Sequence, residues 1–171
     1  MIKLSGKDFN ETDEVGELLK RIDSVDKQYI SSAFEELEQF QPFLLSLLLG
    51  YHLDLNTSEL DEVIKVYLIV WEYFKDKRNI KKRQLTEMQF EEAQKRNIDF
   101  FKYLDTERSK EDFINTTSIN LENIQSKALI AGILLRFDIT PVLSNLKGDM
   151  KGIVIIGIKS LIECFEEIVY G

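Results

Sequence analysis

Between Leu60 and Phe74 the apolar residues Leu60, Val63, Ile64, Tyr67, Trp71 and Phe74 recur at the spacing of an α-helix, and Val66, Ile69, Val70 and Tyr73 widen that stripe. A helix apolar around so much of its circumference needs other helices packed about it. The pattern therefore predicts a central helix running to about Asp76 inside an all-α fold. Its start is marked by the polar break Asp54, Asn56, Thr57 and by Ser58 with Asp61 three residues on, an extended form of the capping box.

The flanking sequence supplies the partners. Met1 to Asn10 is short and mixed, with Gly6 as a breaker, and reads as coil or a flexible arm. From Glu11 to Val25, Val15, Leu18, Leu19 and Ile22 keep helical spacing, while Glu11, Asp13, Glu14 and Glu17 crowd the start, where carboxylates offset the helix's partial positive charge. A second helix is expected from about Asp26 to Gln39. A third begins at Pro42, whose missing N–H costs nothing in a first turn, and is apolar nearly all round to Tyr51, which predicts that it is buried.

Lys75 to Arg83 holds six basic residues in nine and reads as a helix end and loop. Helix five is expected over about Thr86 to Thr106, a short helix and loop over Ser109 to Ile119, and helix six from about Asn120 to Phe137. Thr140 and Pro141 break that pattern, a short helical piece follows to Leu146, and the last helix runs from about Asp149 to Tyr170. Gly152 to Gly157 is β-branched enough for a strand, but Met150, Val154, Ile158, Leu161, Phe165 and Ile168 hold the helical period for five turns. With nineteen Ile and four Ala, these helices must draw their stability from packing. The expected architecture is one domain over residues 1–171, a bundle of about six to seven helices with one or two largely buried central ones.

Several activities are excluded by scarcity. A Ser-His-Asp or Cys-His relay needs a His beside its nucleophile, and His52 is the sole histidine. It lies in an apolar helix, where a satisfied boundary imidazole is the plainer reading. Cys164, the single cysteine, has Glu163, Glu166 and Glu167 as neighbours, the wrong charges for a reactive thiolate. Structural zinc sites need more His or Cys than the chain has, and no Glu lies three residues before His52 as a di-iron bundle requires. Carboxylates such as Glu91, Glu92, Asp99, Glu59 and Glu62 read as solvated helix faces. No phosphate loop, nucleophile elbow or dinucleotide fingerprint is present, and no metal or cofactor is expected.

The longest apolar runs fall short of the ~18 residues that span a bilayer, and a pI near 4.8 has the wrong sign for anionic lipid or for nucleic acid. No signal-peptide pattern follows Met1, so the cytoplasm is the default compartment. The basic run Lys75 to Arg83 lacks an aromatic platform for stacking bases and reads as loop charge or as a counterweight to the acidic first third. Phe101 and Leu104 are expected to face the core, with Phe100 and Tyr103 emerging from it.

That acidic third carries the one functional signal. Met1 to Glu62 holds 14 acidic and 5 basic residues, a net of −9, whereas the remainder carries +1. Clustered exposed charge steers an oppositely charged partner. The expected function is a non-enzymatic protein-interaction module that binds a protein with a basic surface through Asp13, Glu14, Glu17, Glu35, Glu36 and Glu38; immunity proteins that neutralise toxins and small acidic regulators are analogues by class alone. One alternative is a small-ligand or enzymatic pocket near Tyr51, His52 and Trp71. Another is a homodimer seam made by the apolar third, fourth and last helices.

Overall fold

The computed structural model describes residues 6–106 and 124–171. Its elements are α1 (Gly6–Ile22), α2 (Lys27–Phe40), α3 (Pro42–Gly50) with a 3₁₀ turn at Tyr51–Leu53, α4 (Thr57–Phe74), α5 (Glu87–Thr106), α6 (Lys127–Ile139), α7 (Pro141–Ser144) and α8 (Asp149–Tyr170). The described residues form an all-α bundle, as expected.

Local chemistry explains most of the boundaries. Asp26 caps α2 by accepting the Tyr29 backbone N–H at 2.9 Å. The cap of α4 is Asn56, two residues before the expected Ser58. Its side chain accepts the Glu59 N–H at 2.9 Å while the Glu59 carboxylate accepts the Asn56 N–H at 3.0 Å, so two donors that a helix start leaves orphaned are both met. Thr86 and Gln89 make the same exchange at the start of α5.

Two further boundaries and one expectation of burial are corrected by the structure. The expected coil to Asn10 is already helix from Gly6, supported by a Lys7–Glu11 pair one turn apart at 3.7 Å. Helix six starts at Lys127, because Ile124 is buried ahead of the helix and the Ser126 N–H is held at 2.6 Å by the Glu166 carboxylate. The helix and loop expected at 109–119 lie outside the described residues, as do 1–5 and 120–123, and so do the side chains of Phe100, Phe101, Tyr103 and Leu104. Finally, α3 is not buried all round: Leu44 and Leu48 are fully covered, but Leu49 is 51% exposed. A helix of nine residues set between α2 and the Phe90 ring of α5, 5.4 Å from that of Phe43, still leaves one side outward.

The core centres on α4, with α8, α7, α1 and α6 packed about it and α5 laid along α8. Val66 through Val70, Trp71 and Phe74 of α4 are essentially inaccessible, and the Phe165 ring of α8 lies 6.4 Å from that of Trp71 and 5.4 Å from that of Phe74. Each such burial is worth about 1.5–3 kcal/mol against exposure. α8 comes close to α4 at Gly157, where a Cβ would collide with the Tyr67 hydroxyl and sit 3.1 Å from that of Tyr51.

One polar residue ties the chain's turns together. Gln41, fully buried between α2 and α3, donates through Nε2 to the Ile80 and Arg83 carbonyls (2.7 and 2.9 Å) and accepts the Leu85 N–H at 2.8 Å. It satisfies three backbone groups of the α4–α5 connection at once, where the connection tucks Ile80 and Leu85 into the core. Asn79, in that connection, takes a positive φ of 67°, a conformation Asn tolerates better than most residues.

Candidate functional site

Burial of Val15, Leu18 and Ile22 fixes how α1 sits, and burial of Ala33 and Leu37 does the same for α2. The opposite faces then point outward, placing Asp13, Glu14, Glu17, Glu35 and Glu38 at the exposed surface with Glu36 half-buried. Two of these six carboxylates are engaged by the protein itself. Lys75 lies between Glu36 (3.3 Å) and Glu72 (3.1 Å), and Lys77 reaches Glu14 at 3.8 Å with its ammonium 4.1 Å from the Tyr73 ring centre. The start of the basic run thus draws α1 and α2 to the C-terminal end of α4. Lys81 turns to Asp76 at 3.0 Å. Asp13, Glu17, Glu35 and Glu38 form no ion pair among the described residues, and neither do Arg78, Lys82 and Arg83.

The inner side of the same region has a different design. Arg136 of α6 is buried, and one terminal nitrogen donates to Asp23 at 2.8 Å and to Glu62 at 3.0 Å. Burial disfavours the guanidinium, but the two carboxylates outweigh it and its pKa rises; in return the Arg136 hydrogen bond holds Asp23 below the usual carboxylate range. Glu72 gathers Tyr29 (2.7 Å), Lys75 and Arg21 (3.6 Å), and burial with that carboxylate drives the Tyr29 phenol well above its ordinary pKa.

Tyr51, His52 and Trp71 do not converge. The Tyr51 hydroxyl is 2.8 Å from that of Tyr67 inside the core, where burial raises both phenols. His52 is exposed on the 3₁₀ turn with Nδ1 2.6 Å from the Leu49 carbonyl, and Trp71 is fully covered on the core face of α4. A one-residue step past Tyr51 in a helical turn moves His52 about 100° or more around the axis, away from the core. Tyr51 does line a groove of about 370 Å³ between α3, α5 and α8, and neither His52 nor Trp71 is among that groove's walls. Cys164 is buried and its thiol is pushed up to about 12 by that burial and by Glu163 and Glu167, so it is not a nucleophile at neutral pH.

The structure also reveals polar residues that the sequence reading passed over. Lys159 is 3% exposed on α8, donates to Asn97 of α5 at 2.5 Å and pairs with Glu163 one turn on. Asn97 donates in turn to Ser160 (3.0 Å) and Glu163 (3.2 Å). Every strong group in this cluster has a partner, so it locks α5 to α8 and leaves no ready base. Two charged residues, Lys159 and Glu163, inside the otherwise largely apolar stretch 153–165 were its sequence signal. Asn97, Glu163, Arg96 and Glu166 border a cleft of about 500 Å³. Burial lifts the Glu166 pKa, opposed by the N–H groups of Ser126 and Gln125 that it accepts.

Among the described residues no group of three His, Cys, Asp or Glu side chains is placed to hold a metal, and no helix is long and apolar enough to cross a membrane. Glu59 is taken by its cap and Glu62 by Lys65 and Arg136. The chain matches no family model, no curated protein and no solved structure.

Proposed function

We propose that the protein is a non-enzymatic interaction module of the cytoplasm that binds a protein with a basic surface through the outer faces of α1 and α2. One observation carries this reading: Asp13, Glu17, Glu35 and Glu38 are exposed and unpaired among the described residues, although six cations stand in the loop next to them. Charges held this way do nothing for packing, and their mutual repulsion opposes it slightly. What they do well is raise the encounter rate with a cation-bearing surface and disfavour acidic competitors. Glu14 and Glu36, anchored by Lys77 and Lys75, belong to the support of that surface. The reading needs no cofactor or metal.

The test is association kinetics with the partner recovered from the protein's own host. Reversing Asp13, Glu17, Glu35 and Glu38 to Lys is expected to slow association about tenfold or more at low salt and to flatten its salt dependence. An association rate indifferent to both the substitutions and salt contradicts the proposal.

A further inference from the structure

Among the described residues several grooves have apolar walls, and their rims separate them; the one between α1 and α6, about 180 Å³ with Leu19, Leu135 and Ile139, carries Lys20 and Arg136 beside Asp23. The groove between α2 and α4, about 450 Å³, is floored by Val25, Ile30, Phe34 and Ile64, but Lys27 and Lys65 stand on its rim opposite Asp26 and Asp61, so it favours neither sign. The groove between α3, α5 and α8 is floored by Phe43, Leu47, Tyr51 and Ile153, and the charges on its rim are Asp54 and Glu87 alone. Both carboxylates are exposed and make no ion pair among the described residues. Ile153 is 42% exposed at its edge. The walls have length as well as depth. Glu87 and Gln94 are two turns apart on α5, about 10 Å, while Phe43, Leu47 and Asp54 follow one another along α3 and its turn.

We infer that this α3–α5–α8 groove docks an amphipathic basic segment of the partner, its apolar side chains on Phe43, Leu47 and Ile153 and its lysines or arginines against Asp54 and Glu87. Charge complementarity selects this occupant: an acidic segment would face two uncompensated carboxylates, and a purely apolar one would desolvate them without replacement. The recognition mode is the helix-in-groove type. The inference rests on the proposed preference for a basic partner but uses a different surface, so the two fail separately.

The test uses a short fluorescein-labelled leucine–lysine amphipathic peptide, its leucine–glutamate counterpart, and the full chain. Anisotropy is expected to show binding of the lysine peptide only, weakened about tenfold by Asp54→Asn with Glu87→Gln and also by Ser46→Trp, which plugs the groove from an exposed position on α3. The fourfold reversal of Asp13, Glu17, Glu35 and Glu38 is expected to leave this peptide's affinity within about twofold. Should Ser46→Trp fail to fold by circular dichroism, the two isosteric substitutions decide. Lysine-peptide binding that survives Asp54→Asn with Glu87→Gln, equal binding of the glutamate peptide, no binding, or loss only with the fourfold variant overturns the groove; that last result would leave the α1–α2 surface standing.

Discussion

The two sides of α1 and α2 carry the same kinds of residue to opposite ends. Toward the rest of the bundle the carboxylates are held: Asp23 by the buried Arg136, Glu36 by Lys75 and the exposed Glu14 loosely by Lys77, with Glu72 of α4 meeting Arg21 and Tyr29. On the outer side Asp13, Glu17, Glu35 and Glu38 meet no cation among the described residues. Acidity in this chain is therefore not one property. Its inner part aligns helices, and in the proposed function its outer part serves encounter rather than folding. Partly buried, hydrogen-bonded pairs cost stability when one partner is removed, whereas exposed charges are close to neutral for the fold.

The sharpest way to break this division is to attack a buried polar anchor and ask whether the fold notices. Gln41→Leu keeps the bulk but leaves the Ile80 and Arg83 carbonyls and the Leu85 N–H without their partner. A loss of about 3 kcal/mol is expected in urea unfolding, near 1 kcal/mol for each stranded group; a loss below about 0.5 kcal/mol would mean that the connection is not held as described. Gly157→Ala adds a single methyl against the Tyr67 hydroxyl in the core, and about 2 kcal/mol of overpacking is expected by the same measurement. On the outer side the same chemistry reverses sign. Gly16 sits in the middle of α1 with nothing within 4 Å of the place a methyl group would occupy, so Gly16→Ala should stabilise by about 0.5–1 kcal/mol.

Acid titration sharpens the comparison further. Asp23, held below its ordinary pKa by Arg136, adds stability that is present above its unfolded pKa and is lost as pH falls through its folded value. Glu166 does the reverse. Burial raises its pKa, so its contribution is complete below the unfolded value and is lost as pH rises through the folded one. Thermal melts should show Glu166→Gln gaining on the natural chain as pH rises from ~4 to ~7, and Asp23→Asn falling behind it as pH rises from ~2 to ~4. The smallest effect on stability belongs to the outer face. Lysine at positions 13, 17, 35 and 38 together should shift the melt little, within about 0.5 kcal/mol per site, while changing association strongly.

How much of this was legible in the sequence follows from the same distinction. Periodicity placed α4 and α8 well because both are apolar over most of their turns, and the outward carboxylates were visible because a helical period fixes which residues share a face. α3 misled: Pro42 to Gly50 is among the most apolar stretches, yet burial depends on how many neighbours surround a helix, and Leu49 remains outside. The α4 cap lay two residues off because Asn56 with Glu59 and Ser58 with Asp61 offer rival starts, and the longer Glu59 side chain reaches back to the Asn56 N–H. Gln41 and Arg136 were passed over because their partners lie 39 or more residues away and no local pattern reports them, whereas Lys159 showed only as a charge in an apolar helix, its Asn97 partner lying across the interface with α5. His52 and Trp71 were grouped with Tyr51 by proximity in sequence and pattern, and a turn of helix separates their directions.

The most direct test of the account is native mass spectrometry on the protein gently purified from its own host, first at low and then at moderate salt, run beside the fourfold Asp13, Glu17, Glu35, Glu38 to Lys variant. The account predicts a stoichiometric basic protein on the natural chain that leaves as salt rises and is missing from the variant. A chain that is bare or carries only its own copy at low salt, or a partner retained by the variant, would contradict it.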